Sequence, residues 1–481
     1  MSLPASEPET SPLDARVPAL ARAAGATLAE QLAQRLAERI EQRLLAPGAR
    51  LPSVRDCARR QQVSPSTVVA AYDLLQAQGL VEAQPQRGFF VRTRRPLQAR
   101  PAAAPAAPAP VDATALIRSM FQGRDGAPSP GMGTLPEDWL DAALLQRALR
   151  RAMGPASSPA GLRYGDPAGS PVLRESLSRR LADLGIGATP AQVVTTVGAT
   201  HALDIVSRTL LQPGDAVLVD EPGWAVEFAR LTRAGMRLLP VPRGDDGPDP
   251  AVLEALLRAH RPRLYMTVSV LHNPTGGSLS PAVAHQVLRL AEAHDLIIVE
   301  DDTYAWLAPP WATRLAQLDG LQRTIYVSGF SKILAPQWRV GYVAAAPALA
   351  QRFIDTKLLG TLTTPQLLED AVALCLDQGA LRRHAERVIT RLDAARARTV
   401  RLVREAGLRF ASPPQGLFGW VDVGVDTDRL AQRLLDEGCL IAPGSLFHAR
   451  PRPTTLMRVN FAAGQDPRFW RRLRAAASVG K

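Results

Sequence analysis

The stretch SGFSKILAPQWRVGY, Ser328 to Tyr342, decides how the chain is read. Lysine occurs only at 332, 357 and 481, and positive charge is otherwise carried by arginine. A guanidinium stays protonated in a protein, whereas desolvation can strip a lysine amine of its proton and leave it able to condense with an aldehyde. Lys332 therefore offers a chemistry that the surrounding arginines cannot. Seven residues on, Arg339 can grip a phosphate with both prongs of its guanidinium, and Ser328 and Ser331 add hydroxyl donors. By itself the stretch also fits a surface lysine after a strand, so its meaning rests on what surrounds it.

From about Pro136 onward, short β-rich runs alternate with helical stretches. Val193–Thr196, Ala216–Val219, Leu264–Val268, Ile297–Val299 and Thr324–Val327 are the runs. Their alternation predicts a parallel α/β sheet with helices on both faces. Beyond about Leu358 the alternation is less regular, and a smaller α+β lobe is expected.

Several segments of this region carry chemistry. TVGATHALDIVSRTL opens a helix, so the N–H groups of Gly198, Ala199 and Thr200 can bind a phosphate with help from the helix dipole. DEPGWAVEF sets Trp224 just after a strand, where an indole offers a broad stacking face; a core tryptophan is the plainer reading. VEDDTYAWL puts Asp301 at a strand end and Tyr304 three residues later. Asp302 is then expected to be an ordinary solvated strand end, although a one-residue shift in register would exchange the two aspartates.

Together with HNPTGG (His272 to Gly277), LRYGDPAGSPVLRESLSRRL and MRVNFA, these segments follow a known order. The region resembles the aspartate-aminotransferase-type, fold-type-I proteins that bind pyridoxal 5'-phosphate (PLP). The resemblance implies that Lys332 is the Schiff-base lysine and that Trp224 lies against the pyridine ring. It implies that Asp301 pairs with the pyridine nitrogen, so that the ring acts as an electron sink, while Asn273 and Tyr304 bond the phenolic oxygen. It further implies that Tyr164 reaches across a dimer to the neighbour's phosphate, and that Arg458 clamps an α-carboxylate in a bidentate geometry lysine could not copy. Gly329 stands where many relatives carry a serine or threonine phosphate ligand, and Gln337-Trp338 replaces the usual Gly-Leu before Arg339.

The first 95 residues belong to a different body. Leu28, Leu32, Leu36, Ile40 and Leu44 recur every four residues and predict an amphipathic helix that stops before Pro47-Gly48. A second helix follows Pro52 with Ser53 as N-cap. A third starts from Ser64 and Pro65, with Val68, Ala71, Tyr72 and Leu75 on one face, and Gly79 stops it. Leu80–Ala83 and Gly88–Arg92 then read as a two-stranded wing. This order resembles the winged helix-turn-helix of GntR-type bacterial regulators. The resemblance implies that the third helix enters the major groove with Ser64, Ser66 and Thr67 near phosphates and base edges, and that Arg55, Arg87 and Gly88 touch DNA. Pro65 and Val69 occupy positions where some relatives carry arginine.

The domain reading is a disordered tail at 1–26, the winged helix at 27–95, a Pro/Ala-rich linker at 96–133, and the aminotransferase-like domain at 134–481. With 46% hydrophobic and 21% charged residues the composition is that of a globular protein, and a net charge of +12 suits a polyanionic partner. Cys57, Cys375 and Cys439 form no CxxC pair, which speaks against a disulfide framework or a zinc site; no metal is expected. No apolar run approaches the ~20 residues needed to span a bilayer, and no signal peptide is legible, so a cytoplasmic location without a membrane partner is expected. The fusion resembles the MocR subgroup of GntR-like regulators. That implies a homodimer that binds double-stranded DNA and senses PLP together with a small amino-compound effector. The alternative is a catalytically active aminotransferase with an accessory DNA-binding domain.

Overall fold

The computed structural model describes residues 27–41, 45–84, 87–92, 129–154, 162–436 and 438–478. The chain divides between Ala127 and Pro128 into two compact units. The expected tail, 1–26, and residues 96–128 of the expected linker lie outside the described residues. Ser129 to Gly133, read from composition as the end of the linker, are instead bonded into the second unit.

In the first unit, α1 (Leu28–Glu41) buries Leu32, Ala33, Leu36 and Ala37 against α2 (Val54–Gln61) and α3 (Pro65–Ala77). Ser53 and Ser64 cap α2 and α3 as expected, accepting from the N–H groups of Asp56 and Thr67. Each such cap is worth about 1 kcal/mol. The inward face of α3 is Val68, Ala71, Tyr72 and Leu75, all fully buried, and each contributes roughly 1.5–3 kcal/mol of apolar transfer for the larger side chains. The wing differs from expectation. Besides β1 (Val81–Gln84) and β2 (Gly88–Val91), the segment 48–51 adds a third short strand: Val91 N–H donates to Ala49 O at 2.9 Å, Leu51 N–H to Phe89 O at 2.8 Å, and Arg50 bridges Phe90. Pro47, Gly48 and Pro52 around this segment read as turns, which hid it.

The second unit is built on an eight-stranded sheet in the order β3-β10-β9-β8-β7-β4-β5-β6. Its strands are β3 (Val193–Thr196), β4 (Ala216–Glu221), β5 (Arg237–Gly244), β6 (Gly247–Pro248), β7 (Leu264–Thr267), β8 (Ile297–Asp301), β9 (Thr324–Gly329) and β10 (Gly341–Ala344). The sheet is mixed rather than all-parallel. β10 runs antiparallel to β3 and β9, and β6 antiparallel to β5. Alternate residues of one strand enter opposite cores: Val217 and Val219 pack on one face, Ala216 and Leu218 on the other, and Val299 and Ile298 divide likewise. That two-sided burial is why the strands read as continuous apolar runs. The smaller lobe is a four-stranded antiparallel sheet, β11 (Arg409–Phe410), β12 (Phe418–Asp422), β14 (Leu456–Asn460) and β13 (Ala442–Pro443), with a core that includes Val421, Val459, Phe469 and Trp470. Among the described residues no helix is long and apolar enough to cross a membrane.

Candidate cofactor and effector site

Functional groups gather at the ends of β4, β7, β8 and β9, where an α/β sheet leaves its crevice. An anion cradle forms one side. Gly198 stands at φ +77° before the helix Ala199–Leu210, and a Cβ there would lie 2.7 Å from Arg339 Nη2. Only glycine lets the guanidinium approach this helix N-terminus. Arg339 Nη2 donates to Val197 O at 3.1 Å, and its Nη1 is 3.5 Å from the Ser331 hydroxyl. Arg339 remains exposed, with Thr200 in the same first turn. Ser328 is not brought here: fully buried within β9, it donates its hydroxyl to Asp302 O at 2.8 Å.

Lys332 and Asp301, both half-buried, feel each other's charge. Burial pulls Lys332 down to about 8, helped by the Arg458 and Arg339 guanidiniums and opposed by Asp301. Burial likewise lifts the Asp301 carboxyl to about 6, although the Thr303 hydroxyl and the Thr303 N–H, at 3.0 Å, donate to it. Asp301, Trp224, Glu227 and His272 line one cavity. Tyr304 is buried, bonded to Asn273, and pushed up by loss of solvent. Asp302 corrects the expectation. It is no solvated strand end but fully buried, accepting from Arg314 Nε at 2.6 Å and Tyr326 OH at 2.8 Å. The two aspartates thus separate into one facing Lys332 and one locked in a structural ion pair.

Arg458, on β14, is buried without a carboxylate among the described residues. Its Nη1 donates to Asn273 Oδ1 at 3.0 Å and its Nη2 to Gly131 O at 2.6 Å, while Nε has no partner. Phe418 and Phe447 stack near the guanidinium, with ring centroids at 4.4 and 5.1 Å from Cζ. Burial lowers this group to about 10. The segment 130–134 straps the site. Gly131 O accepts from Arg458, Gly133 O from Lys332 Nζ at 2.7 Å, and Met132 O and Thr134 O from Asn460 Nδ2 at 3.0 and 2.7 Å. Its backbone is wedged so that a Cβ on Gly131 would meet Ile441 C at 2.5 Å.

Sequence reasoning missed this strap, because the proline-rich approach to it suggested linker. It also missed Asp220, a buried node that accepts from Tyr265 OH, Thr267 Oγ1, Val268 N–H and Arg243 Nη1. The signal available for it was an acid ending an apolar strand. Tyr164, at 82% exposure, does not reach the site within its own chain. In the first unit Arg55, Ser64, Ser66 and Arg87 are exposed, while Thr67 and Gly88 are half-buried.

A depressed lysine, a raised acid and a glycine-gated anion cradle fit an aldehyde-bearing pyridine phosphate. The orphaned Arg458 Nε fits a carboxylate beside it. On this mixed sheet they define a protein of the fold-type-I PLP class. The profile "Aminotransferase class I and II" matches residues 131–474, and "Bacterial regulatory proteins, gntR family" matches 28–91. The HTH-type transcriptional regulator TauR of Rhodobacter capsulatus is 32% identical over 441 residues, 83% of this chain and 85% of TauR. The 2-aminoadipate transaminase of Thermus thermophilus is 31% identical over 286 residues, 58% of this chain and 72% of that enzyme. Among solved structures, LysN, the α-aminoadipate aminotransferase of Thermus thermophilus complexed with N-(5'-phosphopyridoxyl)-L-leucine, superposes with a TM-score of 0.69 at 26% identity, covering 76% of this chain and 94% of LysN. The chain belongs to the class I and II aminotransferase family, in its MocR-type fusion to a gntR-family DNA-binding domain.

Proposed function

We propose that the protein is a homodimeric transcriptional regulator of the cytoplasm whose second unit holds PLP on Lys332 and senses an amino compound that bears a carboxylate. Arg458 carries this reading. A buried guanidinium with an unmatched Nε and a backbone carbonyl as its substitute partner is costly to keep unless an anion visits it. PLP, when bound, supplies an aldehyde for amines and a ring that draws electrons from the attached carbon. The chain does the rest. Gly198, Ala199, Thr200, Ser331 and Arg339 hold the phosphate, Trp224 covers the ring, and Asp301 keeps a proton at the pyridine nitrogen. Asn273 and Tyr304 orient the phenolic oxygen, and Lys332 accepts or yields its proton.

An arriving carboxylate competes with Gly131 O for Arg458 Nη2, and its amine competes with Gly133 O for the neighbourhood of Lys332. Both carbonyls belong to the strap, which the chain enters directly from residues 93–128. Loss of those two bonds would distinguish the occupied from the empty site, the kind of differential interaction that coupling to DNA binding requires. Exposed Tyr164 supports the dimer, since it is free to complete a neighbour's phosphate site. A second reading, a working aminotransferase, is favoured by Lys332, Asp301, Asn273, Tyr304 and Arg458 meeting in one place. The test is a spectral titration of PLP-loaded protein with a panel of amino acids and the matching decarboxylated amines. Amino acids should bind at least tenfold tighter than those amines, and Arg458→Ala should abolish the preference while PLP still labels Lys332. Equal affinity for both kinds of ligand in the wild type would refute the carboxylate sensor, and steady production of keto acid would favour the enzyme.

A further inference from the structure

We infer that Arg50 is a DNA-contacting residue, forming with Arg87 a two-arginine edge on the outward face of the wing that enters the minor groove. This rests on the reading of the first unit as a DNA-binding domain. The strand partner of Arg50 is Phe90, and directly opposed residues project to the same face of a sheet. Phe90 is also opposite Glu82, and Gly88, two residues before it, shares that face. The Arg50 side chain runs along β2 from Phe90 to Gly88: a Cβ on Gly88 would lie 3.4 Å from Arg50 Nε and 3.5 Å from Nη2. Gly88 has φ +101°, a backbone that disfavours a side chain, and the guanidinium lies over it at ordinary contact distance. Arg87 arrives at the same face from the turn, its Cζ 5.7 Å from the Phe90 ring.

The opposite face of the wing is closed, with Val81 and Val91 buried and Phe89 packed edge-on against Tyr72. The arginine face is open. Arg50 and Arg87 are both exposed, and neither has an ion-pair partner among the described residues; Glu82, on the same face, is instead bonded by Gln84 Nε2 at 3.2 Å. Two exposed, unpaired guanidiniums on one face of the ribbon suit the deep negative potential of a narrow A·T-rich minor groove, which attracts inserted arginine. A major-groove role fits less well, since α3 is the element shaped for that groove.

The test uses the full-length protein and a duplex that the wild type selects from a random pool, with the wing's contact located by hydroxyl-radical footprinting. Inosine·cytosine presents the minor groove of A·T, lacking the guanine amino group, but the major groove of G·C. Wild type should bind A·T and I·C versions of the wing site within about twofold of each other, and the G·C version roughly tenfold more weakly. Arg50→Ala should weaken binding to the selected duplex about tenfold or more and erase the G·C penalty. Arg50→Lys should fall between, and Gly88→Ala, which strains the backbone at φ +101° beneath the guanidinium, should also weaken binding. An unchanged thermal midpoint would show that Arg50→Ala folds. Wild-type affinity in Arg50→Ala, or equal losses with I·C and G·C in the wild type, would overturn the proposal alone. Failure of the wild type to select any duplex would overturn the DNA-binding reading with it.

Discussion

Lys332 and Lys357 are both drawn down to about 8 by burial, yet only one of them is reachable. Lys357 is completely buried, its Nζ 3.2 Å from the Thr364 hydroxyl, whereas Lys332 opens to the site and is covered by a backbone carbonyl of the strap. Treating the cofactor-free protein with PLP at a series of pH values, followed by borohydride and peptide mapping, should label Lys332 along a curve centred near pH 8. An ordinary lysine titrates near 10.4. Label on Lys357 in the folded protein would contradict the assignment. Asp301 gives a second residue-scale prediction. Its folded value is raised to about 6 from an unfolded value near 4, so the folded state binds the proton more tightly. The contribution of this group to stability is full below about pH 4 and is lost as pH rises through about 6. Asp301→Asn should therefore raise the melting temperature of the cofactor-free protein at pH 8 and not at pH 4, while weakening PLP binding. A destabilised variant at pH 8 would mean that Asp301 is structural. The sequence made these residues legible through segment order, but it could not separate Asp301 from Asp302; that needed the Arg314 guanidinium, twelve residues away and invisible to any local pattern.

At the scale of elements, glycines and caps decide whether the site can assemble. Gly198→Ala would force a Cβ into the Arg339 guanidinium at a positive φ. We expect PLP affinity to drop at least tenfold, with a modest loss of stability of about 1 kcal/mol from the backbone strain. Equilibrium dialysis and thermal melts separate the two effects, and unaltered PLP affinity would remove Gly198 from the cradle. Asp302→Ala should instead cost roughly 3–5 kcal/mol, because it leaves Arg314 buried and unpaired. Helices and four of the five parallel strands were readable from period and caps, down to the buried face of α3; parallel β5, broken by Pro240 and Pro242, was not. The antiparallel β10 and the third strand of the wing were not. Both are short and follow turn-forming residues, and their pairing is decided by distant partners, Val193–Thr196 for β10 and Phe89–Val91 for the wing.

At the scale of the whole molecule, the two matched families account for the order of the chain, a DNA reader followed by a PLP fold. Binding of the first unit to DNA should fall steeply with salt as phosphates are neutralised, and Arg87→Ala should reduce that dependence. Occupancy of the Lys332–Arg458 site should be felt at the DNA. Composition could announce two bodies but not the strap at the start of the second, since its role depends on carbonyls that any residue carries. The most direct measurement is the affinity of PLP-loaded protein for its selected duplex, by fluorescence anisotropy, with and without the amino acid that binds best in the spectral titration. The account predicts a change of at least fivefold in the wild type, the lower range of measured coupling energies, and none in Lys332→Ala or Arg458→Ala. Identical affinities with and without that amino acid in the wild type, at saturating occupancy, would contradict it.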